Sequence, residues 1–175
     1  PEESGNIYVG THSGGLNYIH TGTGRIENFN IPHMEAEDNS CYSLLNDGDH
    51  FWVGSMTGLL LFSKHTKQFS QHPLVKDNPE LSGVLINNMF RDSFDRVWIA
   101  TEKGLFLYNG EKTIVPLTDP LSVNSPSYII AYCIKEDTRK NIWIASTNGL
   151  YQYTSNAAFN RRYTTHDGLP NNCIY

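Results

Sequence analysis

The sequence is short of several things, and each shortage removes a class of protein. No apolar run approaches the ~18 residues that a membrane-spanning helix needs. No stretch of useful length repeats apolar residues at the helical period, so a helical bundle has no sequence basis. Lys and Arg form no cluster, and 13 of them face 18 Asp and Glu for a formal charge of −5. Binding to a phosphate backbone rests on many neutralising cations, so nucleic acid is excluded as the expected partner. Cysteine occurs three times, at Cys41, Cys133 and Cys173, each in an apolar stretch and at no metal-ligand spacing. An odd, scattered set of this kind reads as small core hydrophobes. There is no initiator Met and no signal or transit pattern: Pro1 runs into Glu2-Glu3-Ser4-Gly5. The expectation is that residues before Pro1 have been cut away or left out. What is abundant is aromatic, with 10 Tyr, 8 Phe and 3 Trp among 175 residues and 39% apolar residues overall, enough to bury a core in one globular domain.

The apolar residues are organised as a repeat. Ile7-Tyr8-Val9-Gly10-Thr11, Phe51-Trp52-Val53-Gly54-Ser55, Val97-Trp98-Ile99-Ala100-Thr101 and Ile142-Trp143-Ile144-Ala145-Ser146 are versions of one segment, their central aromatics 44, 46 and 45 residues apart. Six positions after each aromatic stands a glycine (Gly14, Gly58, Gly104, Gly149), and ten after it another aromatic (Tyr18, Phe62, Tyr108, Tyr153). Asp47, Asp92 and Asp137 recur upstream, each after an apolar run.

Each block reads as strand, turn, strand. The glycine suits a tight hairpin that needs positive φ. The hydroxyl three after the aromatic can bond backbone groups of the same turn, and the recurrent aspartate is placed to accept backbone N–H groups before the Trp strand. A more polar stretch near Phe69, or Ile114-Val115, supplies a fourth, outer strand. Phe51 to Val53, Val97 to Ile99 and Ile142 to Ile144 are apolar at successive positions, whereas a sheet with one wet face alternates. Both faces are therefore covered, and only other sheets are present to cover them. Four-stranded units of about 45 residues stacked sheet on sheet describe a β-propeller. A β-sandwich accounts for the strands but not for the fixed recurrence. The expected blades are 1–31 (partial), 40–72, 86–116 and 128–163, with 169–175 as the first strand of another.

These motifs resemble the two-component regulator propeller repeats that form the sensor region of hybrid two-component system proteins in Bacteroidetes. The likeness is carried by Asp92 to Thr101 with Gly104-Leu105, by Asn141 to Thr147 with Gly149-Leu150, and by Tyr163-Thr164-Thr165-His166-Asp167-Gly168-Leu169-Pro170-Asn171-Asn172, which is similar to the entry into a next blade. It covers essentially the whole chain. Ala100 and Ala145 replace a glycine after the strand, Tyr8 replaces Trp, and Asp95 and Lys140 stand where the turn before the Trp usually has glycine, kept only at Gly5. The resemblance implies part of a larger propeller of about seven blades. It further implies a non-catalytic periplasmic sensor segment of an inner-membrane histidine kinase that recognises a glycan-derived oligosaccharide. The implied partners are the rest of the propeller sensor, a second copy in a homodimer and the oligosaccharide, with the membrane reached only through other parts of the protein. An open part-ring is expected to pair with a copy of itself or to lend residues 169–175 to the strands of 6–30.

No site chemistry stands out. Seven histidines form no H-E-x-x-H pair or Cys/His ligand set, no G-x-S-x-G elbow occurs, and Gly10, Gly14 and Gly15 fall in a hairpin and not before a helix. No catalytic residue, metal site or cofactor is expected. A propeller lyase or glycosidase would need converging acid/base residues, and a protein-interaction platform would use a broad loop face. Binding is expected where the repeat breaks down, in the connections 30–40, 71–85, 116–127 and 160–169. These hold His33, Lys76, Arg161, Arg162 and His166, the candidate ligand residues. Arg161-Arg162 is an adjacent basic pair within these connections and suits the carboxylate or sulfate of an acidic sugar.

Overall fold

In the computed structural model, residues 5–32, 39–121 and 128–175 are described, and the chain divides into two compact units, 1–83 and 84–175. Each unit contains two sheets that run as simple antiparallel meanders. The first unit holds β1 (Ile7–Gly10), β2 (Leu16–His20) and β3 (Arg25–Phe29), then β4 (Ser43–Asp47), β5 (His50–Ser55), β6 (Gly58–Ser63) and β7 (Gln68–Gln71). The second holds β8 (Ile86–Arg91), β9 (Val97–Thr101), β10 (Gly104–Tyr108) and β11 (Val115–Leu117), then β12 (Ala131–Glu136), β13 (Ile142–Ser146), β14 (Gly149–Tyr153) and β15 (Phe159–Tyr163). A single helical turn, α1 (Leu74–Asp77), sits in the connection after β7. The fold is all-β, a β-propeller segment whose blades are these four sheets.

Successive apolar positions are indeed buried on both faces. All five residues of β9 are buried, and so are Phe51 to Ser55 in β5. In the second unit, Trp98, Ala100, Leu105 and Leu107 of one sheet pack with Ile134, Ile142, Ile144, Tyr151 and Tyr153 of the next. In the first unit, Tyr8, Leu16 and Tyr18 pack with Phe51, Val53 and Phe62. A single blade would expose both of these faces, so each sheet depends on its neighbour.

The inner hairpins are built alike. Thr11, Ser55, Thr101 and Ser146 donate their hydroxyls to the carbonyls of Gly15, Gly58, Gly104 and Gly149, at 3.0, 3.0, 2.9 and 2.7 Å. In the first copy the turn is one residue longer, so Gly15 and not Gly14 takes the hairpin position, and Tyr18 pairs with Tyr8 where Phe62 pairs with Phe51. The glycine is required twice over at Gly149: its φ is +115°, and a Cβ would stand 2.4 Å from the Tyr163 carbonyl. The carbonyl lies at the end of β15, and in three of the sheets the chain that leaves the blade also returns to the hairpin glycine. Gly15 N–H donates to the Asn39 carbonyl at 2.6 Å, Gly149 N–H to that of Asn172 at 2.6 Å, and Gly58 bridges to Ser82.

The turns before the aromatic strand also take left-handed backbone. Gly5 has φ +79°, and Asp95 and Lys140 adopt +64° and +67° in its place. Gly48 does the same at +58° in a shorter turn, so Gly5 is not alone in keeping glycine there. Cys41 is buried, which pushes its thiol up to about 12, while Cys133 and Cys173 are half-buried. Residues 169–175 include no strand. Instead Ile174 N–H bonds the Ser146 carbonyl at 2.9 Å, within the unit that holds β13.

Candidate functional site

The recurrent polar residues are spent on the fold. Asp47, Asp92 and Asp137 each accept the indole N–H of the Trp on the next strand, Trp52, Trp98 and Trp143, at 2.9, 2.8 and 2.9 Å. The other oxygen of Asp92 accepts the backbone N–H groups of Phe94 and Arg96, both at 3.0 Å, and that of Asp137 accepts Arg139 and Asn141 at 2.8 and 2.9 Å. These bonds, the indole first, hold the Asp137 carboxyl down to about 2. The aspartates are thus turn residues, as their place in the repeat requires, and each also fixes a tryptophan. Tyr8, which has no indole N–H, meets a different partner. Lys67 donates to its hydroxyl and lies over the Tyr8 and Tyr18 rings, 4.9 and 4.4 Å from their centroids, joining the two sheets of the first unit.

The candidate ligand residues fall in different settings. Lys76 is exposed on α1 in the first unit. His33 lies outside the described residues. In the second unit, Arg161 and Arg162 stand on the outer strand β15 and not in a connection, because that strand extends to Tyr163. Adjacent positions on a strand point to opposite faces, and the pair separates accordingly. Arg161 is on the exposed side, its guanidinium over the Tyr163 ring at 4.6 Å and bonded to Asp167 at 2.5 Å, which holds the Asp167 carboxyl below its ordinary value. Asp167 also closes a capping box with Thr164 at the start of the turn 165–167, where His166 is exposed.

Arg162 turns inward. Its Nη1 lies 2.7 Å from Oδ2 of Asp119 and 3.3 Å from the Tyr151 hydroxyl, which itself donates to Asp119 at 2.8 Å. Asp119 is buried, and its other oxygen accepts the Leu121 N–H at 3.0 Å. Burial pushes the Tyr151 phenol up to about 12, so its proton stays available to the carboxylate. This triad ties the backbone after β11 to the face of the β12–β15 sheet. Sequence reasoning missed Asp119, since a lone aspartate in a connection looks solvated. It also missed His72, which is buried, packs its ring at a tilt against Trp52 with centroids 4.1 Å apart, and accepts the Leu74 N–H at Nδ1. Desolvation pulls His72 down to about 4, against the pull of Asp47. Neither residue recurs in the repeat, the one signal that would have exposed them.

The class defined by this geometry is a propeller segment of one three-stranded and three four-stranded blades among the described residues, the latter three stitched by Asp–Trp turns. No family model matches the chain. Over 186 residues it is 27% identical to histidine kinase P4 of Formosa agariphila, a match covering 98% of this chain and 13% of that protein. Among solved structures it is similar to the extracellular domain of a B. thetaiotaomicron protein described as a hybrid two-component system, with TM-score 0.69, 22% identity, and 96% and 22% of the two chains covered. Virginiamycin B lyase of Staphylococcus aureus is also similar, with TM-score 0.64, 12% identity, and 97% and 54% covered. The chain therefore spans only a small part of the kinase and of the extracellular domain, and the lyase likeness is one of fold.

Proposed function

We propose that this chain is a non-catalytic, periplasmic ligand-sensing segment of a hybrid two-component sensor, recognising a glycan-derived oligosaccharide and regulating a histidine kinase. The observation that carries the reading is the match, along nearly the whole chain, to a protein named as a histidine kinase, together with the extracellular two-component domain of the same fold. The repeat's recurrent aspartates serve the turns and tryptophans, which leaves recognition to residues outside the repeat. Arg161 and His166, exposed and six residues or fewer from one another in sequence, are the candidate contacts in the second unit, with Lys76 and His33 the candidates in the first. Arg162, already engaged by Asp119, serves by holding the backbone around residues 119–121. Binding would bias the arrangement of the sensor, itself a homodimer, between two states and so change kinase activity. Calorimetry of the intact sensor region against a panel of purified neutral and acidic oligosaccharides tests this. Heat of binding for one member is expected, and silence across the panel would overturn the sugar reading.

A further inference from the structure

The first strand of three sheets carries the same irregularity. In β8 the pairing with β9 slips between Ile86 and Asn88, so Asn87 has no partner of its own across the ladder. In β12 the pairing with β13 slips between Ala131 and Cys133, which sets off Tyr132 in the same way. In the first unit Gly54 pairs with Ser43 while its carbonyl also accepts the Tyr42 N–H at 2.9 Å, so two residues again oppose one. Tyr42, Asn87 and Tyr132 each stand five positions before the aspartate of their turn, Asp47, Asp92 and Asp137. Bulges of this kind re-aim a side chain out of the regular alternation and are over-represented beside functional sites. Each set-off residue follows a buried one, Cys41, Ile86 or Ala131, and is itself open to solvent: Tyr42 is exposed, and Asn87 and Tyr132 are half-buried. The backbone of this position recurs but its side chain does not, unlike the aspartates and tryptophans that are spent on the fold.

We propose that Tyr132 is a stacking platform for one uncharged sugar ring of the sensed oligosaccharide. The inference rests on the sensing reading and names the part of the ligand that this position takes. Tyr132 is held in place from both flanks. Asn87 Nδ2 donates to the Ala131 carbonyl at 2.9 Å and Asn88 Oδ1 accepts the Ile134 N–H at 3.2 Å, so the preceding sheet seals the edge of β12 before and after the bulge. The Tyr175 ring packs on that of Tyr132 with centroids 4.9 Å apart and planes at 33°. A half-open ring whose backbone and tilt are already fixed loses little freedom on binding. Its face is an apolar, electron-rich surface, and the C–H side of a pyranose is the apolar part of a sugar and carries partial positive charge. No charged side chain takes part in the contacts that hold Tyr132, so this position reads the sugar skeleton, whereas Arg161 and His166 answer to charged substituents.

The test is calorimetry of the intact sensor region with purified neutral gluco-, manno-, xylo- and galacto-oligosaccharides and, separately, with oligosaccharides that contain uronic acids. For the neutral member that binds, Tyr132→Ala is expected to weaken affinity about tenfold. Tyr132→Phe keeps the ring and should stay within about twofold of the unaltered protein. Tyr132→Leu, which keeps apolar bulk without a π face, replaces the alanine variant if circular dichroism shows that one to be unfolded. Unchanged affinity in the variant without a ring would overturn the platform and leave the sensing reading standing. A loss in Tyr132→Phe as large as in Tyr132→Ala would assign the effect to the hydroxyl and also overturn it. Binding of the acidic members alone would overturn the uncharged ring while keeping the sensor. Silence of the unaltered protein toward every member would overturn both readings together.

Discussion

The indole Nε1–H of Trp98 donates to Oδ2 of Asp92 at 2.8 Å, and the same oxygen lies 2.7 Å from Nε of Arg96, whose Nη2 reaches on to the Ser155 carbonyl at 2.7 Å in the neighbouring sheet. One buried carboxylate thereby closes its turn, orients the tryptophan at the centre of an interface and anchors a guanidinium that crosses to the next blade. Asp92→Ala leaves the Arg96 charge and two turn N–H groups without their acceptor, and is expected to cost about 3 kcal/mol. Trp98→Phe loses the bond to the carboxylate and leaves a small cavity at a fully buried site, at about 2 kcal/mol. Urea denaturation followed by circular dichroism measures both, and similar losses would show that the carboxylate does no more than bind the indole.

Arg161 and Arg162 should separate in the same kind of experiment. Arg162→Ala strands the Asp119 carboxylate in a buried site and should lower stability by about 3 kcal/mol. Arg161→Ala removes an exposed pair with Asp167 and should leave the urea midpoint almost unchanged. Equal effects would mean that Asp119 is solvated in solution.

Lys140 occupies a left-handed backbone position, φ +67°, that a side chain disfavours. Lys140→Gly is expected to raise stability by about 1 kcal/mol despite the added freedom of the unfolded chain, because its contact with Glu136 is long, at 3.9 Å, and the Lys140 side chain is half exposed. A melting temperature unchanged or lowered would place the gain below the entropic cost.

Acid should weaken the first unit through His72. Its folded value, about 4, lies below the ordinary 6.5, so the unfolded state binds the proton more readily. Stability is then fully present above pH 6.5, declines as pH falls through the interval, and loses nothing further from this group below about 4. The loss should be of order 3 kcal/mol, and His72→Gln should flatten that part of the profile, measured as urea midpoint against pH.

The strands, the hairpin hydroxyls and the aspartate turns were legible in the residues because each is local and recurs. Four copies in register turn weak propensities into a pattern, and the chemistry of a tight turn depends on its own few residues. The one-residue lengthening before Gly15 shows where that legibility ends. Gly14 and Gly15 are adjacent, and only the pairing of Leu16 with Gly10 and the approach of the Asn39 carbonyl choose between them.

What the amino-acid order determined by itself was the repeating unit and its need for neighbours, since strands apolar on both faces have no stable existence alone. The tertiary structure decided what single, unrepeated residues do: that Arg162 faces Asp119 while Arg161 faces outward, that His72 lies under Trp52, and that Trp98 is sealed while Trp143 is half-open. Those outcomes depend on which side chains arrive from distant positions, and a residue without a counterpart in the repeat carries no local mark of the company it will keep.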